Sequence, residues 1–138
     1  MSLTRPGTVA DLAEVAGIQA ACPEAAQWMP EDYLGLDFRV CILESRIAGF
    51  AVSRITAPGE RELLNLAVAT EFRRRGVGAQ LVRQLATEAD VSVFLEVRES
   101  NRAARLFYKT LGFQEVGLRP AYYDNPTESA IVMKFHSC

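Results

Sequence analysis

Residues 63–78 read Leu-Leu-Asn-Leu-Ala-Val-Ala-Thr-Glu-Phe-Arg-Arg-Arg-Gly-Val-Gly. An apolar strand that enters a glycine turn and then a helix directs several unpaired backbone N–H groups at one point, at the positive end of the helix. Phosphate or pyrophosphate is the natural occupant of such a point. Gly76 and Gly78 carry no side chain, so a bulky anion can approach the main chain closely. Arg73, Arg74 and Arg75 add positive charge beside them. The turn is not a P-loop, because Ala79 and Gln80 stand where lysine and a hydroxyl residue are needed. Nor is it a dinucleotide fingerprint, which requires a small residue where Leu81 stands. Read without the anion, the same residues are a glycine-containing helix start with solvated arginines.

A second group lies in residues 95–113, Leu-Glu-Val-Arg-Glu-Ser-Asn-Arg-Ala-Ala-Arg-Leu-Phe-Tyr-Lys-Thr-Leu-Gly-Phe. Glu96 interrupts an apolar strand, and the two-residue strand period places it on the face opposite Leu95 and Val97. A carboxylate beside apolar surface is partly desolvated, which raises its pKa and makes it a usable base near neutral pH. The alternative is an edge-strand carboxylate paired with an arginine. Tyr108, on the helix that follows, is either a core aromatic or a proton donor. The single histidine, His136, lies in what reads as a C-terminal tail and cannot supply a multi-histidine metal site. Proton transfer therefore falls to carboxylates, tyrosines or cysteines, or the reactive group is borrowed from a cofactor. Cys22, Cys41 and Cys138 match no zinc or redox spacing and read as free thiols in a reducing compartment.

The elements that must position these groups follow from periodicity. Leu3–Arg5 reads as a short strand, and Thr8 with Asp11 as a capping pair opening a helix whose Leu12, Val15 and Ile18 face the core. A short helix starts near Pro30. Strands are expected at Arg39–Glu44 and Ile47–Thr56 around a turn at Ser45, and at Glu62–Val68 after Pro58-Gly59. A helix is expected from Gly76 to about Ala89, a strand at Ser92–Val97, and a helix at Asn101–Leu111 ended by Gly112 and displaying Leu106, Phe107 and Leu111. The last strands are Phe113–Leu118 and Ala130–Phe135. Seven strands and about four helices, alternating in the centre, predict an α/β or α+β fold with a mixed sheet flanked by helices.

The chain has 138 residues, 49% of them hydrophobic, with 15 basic and 17 acidic residues. This is the size of one domain, spanning 1–138. The near-neutral charge argues against coating nucleic acid or an anionic membrane. With no signal-like start and no run near the ~20 apolar residues of a membrane span, the expectation is a soluble, cytoplasmic protein.

Arg73-x-x-Gly76-x-Gly78 resembles the Arg/Gln-x-x-Gly-x-Gly/Ala signature of the GCN5-related N-acetyltransferases. Leu95–Phe113 is similar to the LEVRxSNxxAxxLYxxLGF pattern of the RimI-like ribosomal-protein-alanine N-acetyltransferases, with Phe107 in place of the usual leucine. The LLNLAV stretch, Arg119, Tyr122-Tyr123, Glu128 and the final AIVM extend the likeness over residues 62–135. The resemblance implies a single GNAT-like domain that binds acetyl-coenzyme A (acetyl-CoA) and moves its acetyl group directly to a protein N-terminal amine, the acceptor being a ribosomal protein. It implies Glu96 as general base and Tyr108 as the acid that protonates the departing thiolate. Main chain at Leu66, Ala67 and Val68 holds the acetyl and pantetheine part, with an N–H near Leu66 facing the oxyanion. Residues Arg73, Arg74, Arg75, Gly76, Val77, Gly78 and Ala79 hold the pyrophosphate, and Asn101 and Tyr108 also contact the cofactor. Residues 1–61 share the family's element order but little of its sequence. Gln27-Trp28-Met29-Pro30 is only a loose counterpart of a Phe-Pro-Trp stretch, and the segment Asp124–Ser129 is short. The other readings are a transferase acting on a small amine, a non-catalytic acyl-CoA-binding module, and a generic nucleotide-binding module.

Overall fold

Most of the predicted strands are apolar runs, and along Glu60–Val68 and Ser92–Arg98 burial alternates with the two-residue strand period. The computed structural model describes residues 2–87, 89–124 and 127–137. Cys138, and Asn125 and Pro126 of the short 124–129 segment, lie outside the described residues. The strands are β1 (Ser2–Pro6), β2 (Asp37–Leu43), β3 (Arg46–Ala57), β4 (Glu60–Val68), β5 (Ser92–Arg98), β6 (Gln114–Tyr123) and β7 (Glu128–His136). The α-helices among the described residues are α1 (Leu12–Ala20), α2 (Val77–Arg83) and α3 (Arg102–Thr110), and the segment Pro30–Gly35 forms a 3-10 helix. The sheet order is β1-β2-β3-β4-β5-β7-β6. The β4–β5 ladder is parallel, with Glu60–Glu62 opposite Ser92–Phe94. The β1–β2, β2–β3, β5–β7 and β6–β7 ladders are antiparallel. This is the mixed seven-stranded sheet expected. The chain divides into two compact units, Met1–Arg54 with Leu63–Leu85, and Ile55–Glu62 with Ala86–Cys138.

In the first unit the β2–β3 hairpin turns at Glu44 and Ser45, both at positive φ (53° and 62°), as tight two-residue hairpins require. Val15, Tyr33, Val40, Phe50, Val77 and Leu81 are buried, and the Tyr33 ring meets those of Phe38 and Phe50 with centroids 5.8 Å away in each case. At Gly49 a Cβ would stand 2.8 Å from the Ala67 carbonyl and 3.0 Å from Val77, so only glycine lets the two segments approach this closely. The capping pair forms, but on a 3-10 turn (Val9–Asp11) that leads into α1: the Thr8 N–H donates to Asp11 Oδ2 (2.8 Å), and Arg5 donates to both Asp11 oxygens at 2.7 and 2.9 Å.

Arg5 and the Thr8 amide hold the Asp11 carboxyl down at about 2. A carboxylate whose folded pKa is depressed adds stability above its unfolded value, and that stability disappears as pH falls from about 4 to about 2. Asp11 is buried but Arg5 is 39% exposed on its side chain, so solvent screening reduces the contribution. Asp11→Asn is expected to cost about 1 kcal/mol at pH 7. Urea denaturation at pH 7 and pH 3 checks this, with the gap between variant and wild type shrinking at the lower pH.

The long helix expected at Gly76–Ala89 is shorter: α2 ends at Arg83, and Gln84–Ala86 tightens into a 3-10 turn. That turn still buries Leu85. Past that turn Thr87 and Ala89 offer no large apolar side chain to hold a further helical face, and Glu88 of the expected span lies outside the described residues.

In the second unit Val93, Leu95 and Val97 of β5 are buried together with Tyr108, Phe113, Ile131 and Met133. Leu106 is 65% exposed, and α3 turns Tyr108 inward, against Phe107 and Phe113 at 5.2 and 5.4 Å. One expectation fails here. His136 is the last residue of β7 and not part of a tail. It sits opposite Ser92, whose hydroxyl lies 2.7 Å from His136 Nδ1.

Candidate active site

The glycine turn belongs to the first unit. Gly76 takes the left-handed conformation (φ 78°), caps α2, and has open space where a Cβ would stand. The first helical bond runs from Gln80 N–H to the Gly76 carbonyl (3.0 Å). The N–H groups of Val77, Gly78 and Ala79 are therefore the first-turn donors that lack intrahelical acceptors. The three arginines are less alike than their run implies. Arg75 pairs with Glu44 at 2.6 Å and stacks over Phe72. Arg73 lies 3.6 Å from Glu24 and donates to the buried Cys22 Sγ at 3.4 Å. Arg74 sits at positive φ (63°) and is exposed.

Along β4, Ala67 is buried while Leu66 and Val68 are half-buried on the opposite pleat. The Val68 carbonyl accepts from the Cys22 thiol at 3.5 Å. The Leu66 N–H itself donates to its neighbour Asn65 Oδ1 at 3.0 Å. The strand pattern does not reveal this, because the acceptor is a side chain one residue away.

The carboxylate belongs to the second unit. Strand order β5-β7-β6 places β7 between Glu96 and Arg119, and small Ala130 lies opposite both Arg98 and Arg119. The Arg119 guanidinium reaches to 3.4 Å from Glu96 Oε1. Glu96 is 13% exposed on its side chain, and its Oε2 is buried with no hydrogen-bond partner among the described residues. Burial raises its pKa, Arg119 pulls it back, and the negative charge of Glu62 adds to the rise. Both readings of Glu96 thus describe part of it: one oxygen faces an arginine, and the other is a desolvated acceptor without a proton donor.

Tyr108 is buried and its phenol is pushed far up by desolvation. It keeps its proton at any physiological pH. Asn101 caps α3, with Oδ1 accepting from Ala104 N–H at 3.2 Å. The capping oxygen is committed to the helix, which leaves the amide NH2 for other partners. Glu128 accepts from the Ser100 N–H and from Arg98 (3.3 Å), so it braces the turn between β5 and α3. Arg98 in turn lies over the Tyr123 ring at 4.4 Å, and Arg119 over Tyr122 at 5.3 Å. Residue spacing gives no sign of the bracing by Glu128, because its partners lie 28 and 30 residues away.

The first unit thus offers a glycine turn with unpaired N–H donors, and the second a desolvated carboxylate and a protonated phenol. Residues 12–113 match the model of the GNAT acetyltransferase family, and the chain belongs to that family. It transfers acetyl from acetyl-CoA to an amine. Among its relatives, the [ribosomal protein bS18]-alanine N-acetyltransferase of Salmonella typhimurium is 38% identical over 109 residues, covering 75% of this chain and 71% of the relative. The crystal structure of the Escherichia coli ribosomal-protein-S18-alanine N-acetyltransferase superposes with a TM-score of 0.83 at 27% identity, over 100% of this chain and 96% of that one. Arabidopsis thaliana NAA60, solved in complex with acetyl-CoA, shares the fold with a TM-score of 0.85 at 17% identity, over 99% of each chain. No helix among the described residues is long and apolar enough to cross a membrane.

Proposed function

We propose that this chain, acting as one transferase domain in the cytoplasm, acetylates the α-amine of a protein N-terminus, with an N-terminal alanine of a ribosomal protein as the acceptor. The observation that carries the reading is Glu96: a largely buried carboxylate with one oxygen unpartnered and its pKa raised. Such a group takes a proton from an attacking amine near neutral pH. The likeness to ribosomal-protein-alanine N-acetyltransferases supports the choice of acceptor.

Acetyl-CoA supplies an activated thioester when bound. The Val77, Gly78 and Ala79 N–H groups and the open face of Gly76 suit a pyrophosphate, and Arg74 adds an exposed cation. Main chain at Leu66–Val68 would hold the acyl arm, with an N–H near Leu66 facing the oxyanion; the Leu66 N–H itself donates to Asn65 Oδ1. Glu96 takes the proton of the acceptor amine, and Tyr108 gives its own to the departing sulfur. The acceptor choice has a physical basis as well. An α-amine has a pKa about 8 and a lysine about 10.4, so at pH 7 the α-amine is neutral more often by a factor on the order of 10².

The test is acetyl transfer to peptides varied at the first residue, alongside a panel of free amino acids and polyamines, read as coenzyme A release. Turnover is expected with peptides, greatest for alanine at the first position. Turnover of small amines without any peptide turnover rejects the reading. Cofactor binding without transfer to any amine makes the chain a sensor instead.

A further inference from the structure

Asn65 is a polar residue in an otherwise apolar stretch of β4, between Leu64 and Leu66, and it is buried. Every part of its amide is used. Its Oδ1 accepts from the Ala26 N–H at 3.2 Å and from the Leu66 N–H at 3.0 Å. Its NH2 faces three acceptors: the Ala26 carbonyl at 2.9 Å, the Tyr33 hydroxyl at 3.0 Å and Gln19 Oε1 at 3.3 Å. The Tyr33 hydroxyl donates to Gln19 Oε1, and the Gln19 amide donates to the Trp28 carbonyl at 2.7 Å. Gln27 adds donations to the Gln19 and Cys22 carbonyls at 2.9 and 3.0 Å.

The network has one evident beneficiary. The segment from Cys22 to Met29, between α1 and the Pro30–Gly35 helix, contains no helix or strand. Its backbone polar groups at Ala26 and Trp28 are satisfied by side chains of α1 and β4. Stability alone does not call for this arrangement. Burying three polar side chains is costly unless each is satisfied, and apolar residues of the same shape serve a core as well. A fully satisfied network instead specifies one conformation. What it specifies is the attachment of the segment to β4 one residue before Leu66, with Cys22 anchored to the Val68 carbonyl at the far end. Those residues bracket the main chain assigned above to the acyl arm. Trp28 and Met29, carried by the same segment, are apolar and exposed.

We propose that Asn65 is a positioning residue for acceptor specificity: through Gln19 and Tyr33 it holds the 22–29 segment in the form that bounds the acceptor's place beside Leu66–Val68. The proposal rests on the reading that the acceptor is a peptide N-terminus. Asn65 touches no reacting atom and acts through the segment.

Trp28 is the only tryptophan in the chain, so its intrinsic fluorescence reports on this segment alone. In Asn65→Ala, acrylamide quenching of Trp28 is expected to rise about twofold, as expected when a fixed segment loosens. The KM for the acceptor peptide is expected to rise ~10-fold or more, as a displaced positioning element produces. The KM for acetyl-CoA rises much less, since the glycine turn is untouched and only the Asn65 contact to the Leu66 N–H is lost. If Asn65→Ala does not fold, Gln27→Ala loosens the same segment from the end of α1 and carries the same expectation. Altered quenching with an unchanged acceptor KM overturns the proposal, as does an equal rise in both KM values or unaltered quenching. Failure of the underlying reading is visible separately, because wild-type protein then acetylates no peptide at all; that result removes the proposal too.

Discussion

Glu96→Gln is expected to lower kcat/KM for acetyl transfer at pH 7 by ~10²- to 10³-fold, within the range that general-base removal produces. Acetyl-CoA affinity by calorimetry is expected to stay unchanged, because the glycine turn belongs to different elements. The thermal midpoint does not fall with the activity. A carboxyl whose folded pKa is raised binds its proton more tightly in the folded state, so its contribution to stability diminishes as pH rises through the interval between its ordinary and raised values. At neutral pH the buried charge is a cost, and glutamine removes it. Loss of turnover without loss of stability separates a base from a structural ion pair. The pH profile adds a second criterion. Glu96 must be ionised to accept a proton, so the rate declines as pH falls through its raised pKa. Arg119 lies 3.4 Å from Oε1 and lowers that pKa. Arg119→Ala therefore moves the acid limb of kcat/KM to higher pH. A limb that moves to lower pH, or Glu96→Gln turnover close to wild type, rejects the assignment.

Tyr108→Phe has the second-largest expected effect, a fall in kcat of ~10²-fold at neutral pH. Tyr108 is protonated wherever the enzyme works, as a donor must be, while burial, which pushes its pKa far up, makes it a weaker acid than a free phenol. Its defect must depend on the leaving group. With an acetyl thioester whose thiol has a lower pKa than coenzyme A, the departing sulfur needs less help from an acid, and the variant closes part of its gap to wild type. A merely structural tyrosine, packed between Phe107 and Phe113, loses the same rate for every thioester. A defect of constant size across thioesters, or near-normal turnover, overturns the role of general acid.

Much of this arrangement is legible in the order of residues. The strand-turn-helix around Gly76 follows from local rules, since a glycine at positive φ and an apolar three-four repeat at Val77, Leu81 and Val82 leave few alternatives. The face of β5 that carries Glu96 follows from the two-residue period alone. Pattern misleads where local preference and tertiary demand differ. The run of three arginines resembles a single cationic patch, yet two of them face carboxylates at positions 24 and 44. His136 reads as tail and is a strand residue opposite Ser92.

The elements, the turn chemistry and the residue types available for proton transfer are written in the chain itself, because backbone conformation and periodicity are set by neighbours a few positions away. Which groups meet is a matter of tertiary structure. Arg119 reaches Glu96 because β7 inserts between β5 and β6 and presents small Ala130 between the arginines. Asn65 binds Ala26, Tyr33 and Gln19 across 39, 32 and 46 residues, and also accepts from the Leu66 N–H. Such pairings depend on strand order and on where a loop closes, and no local period encodes them.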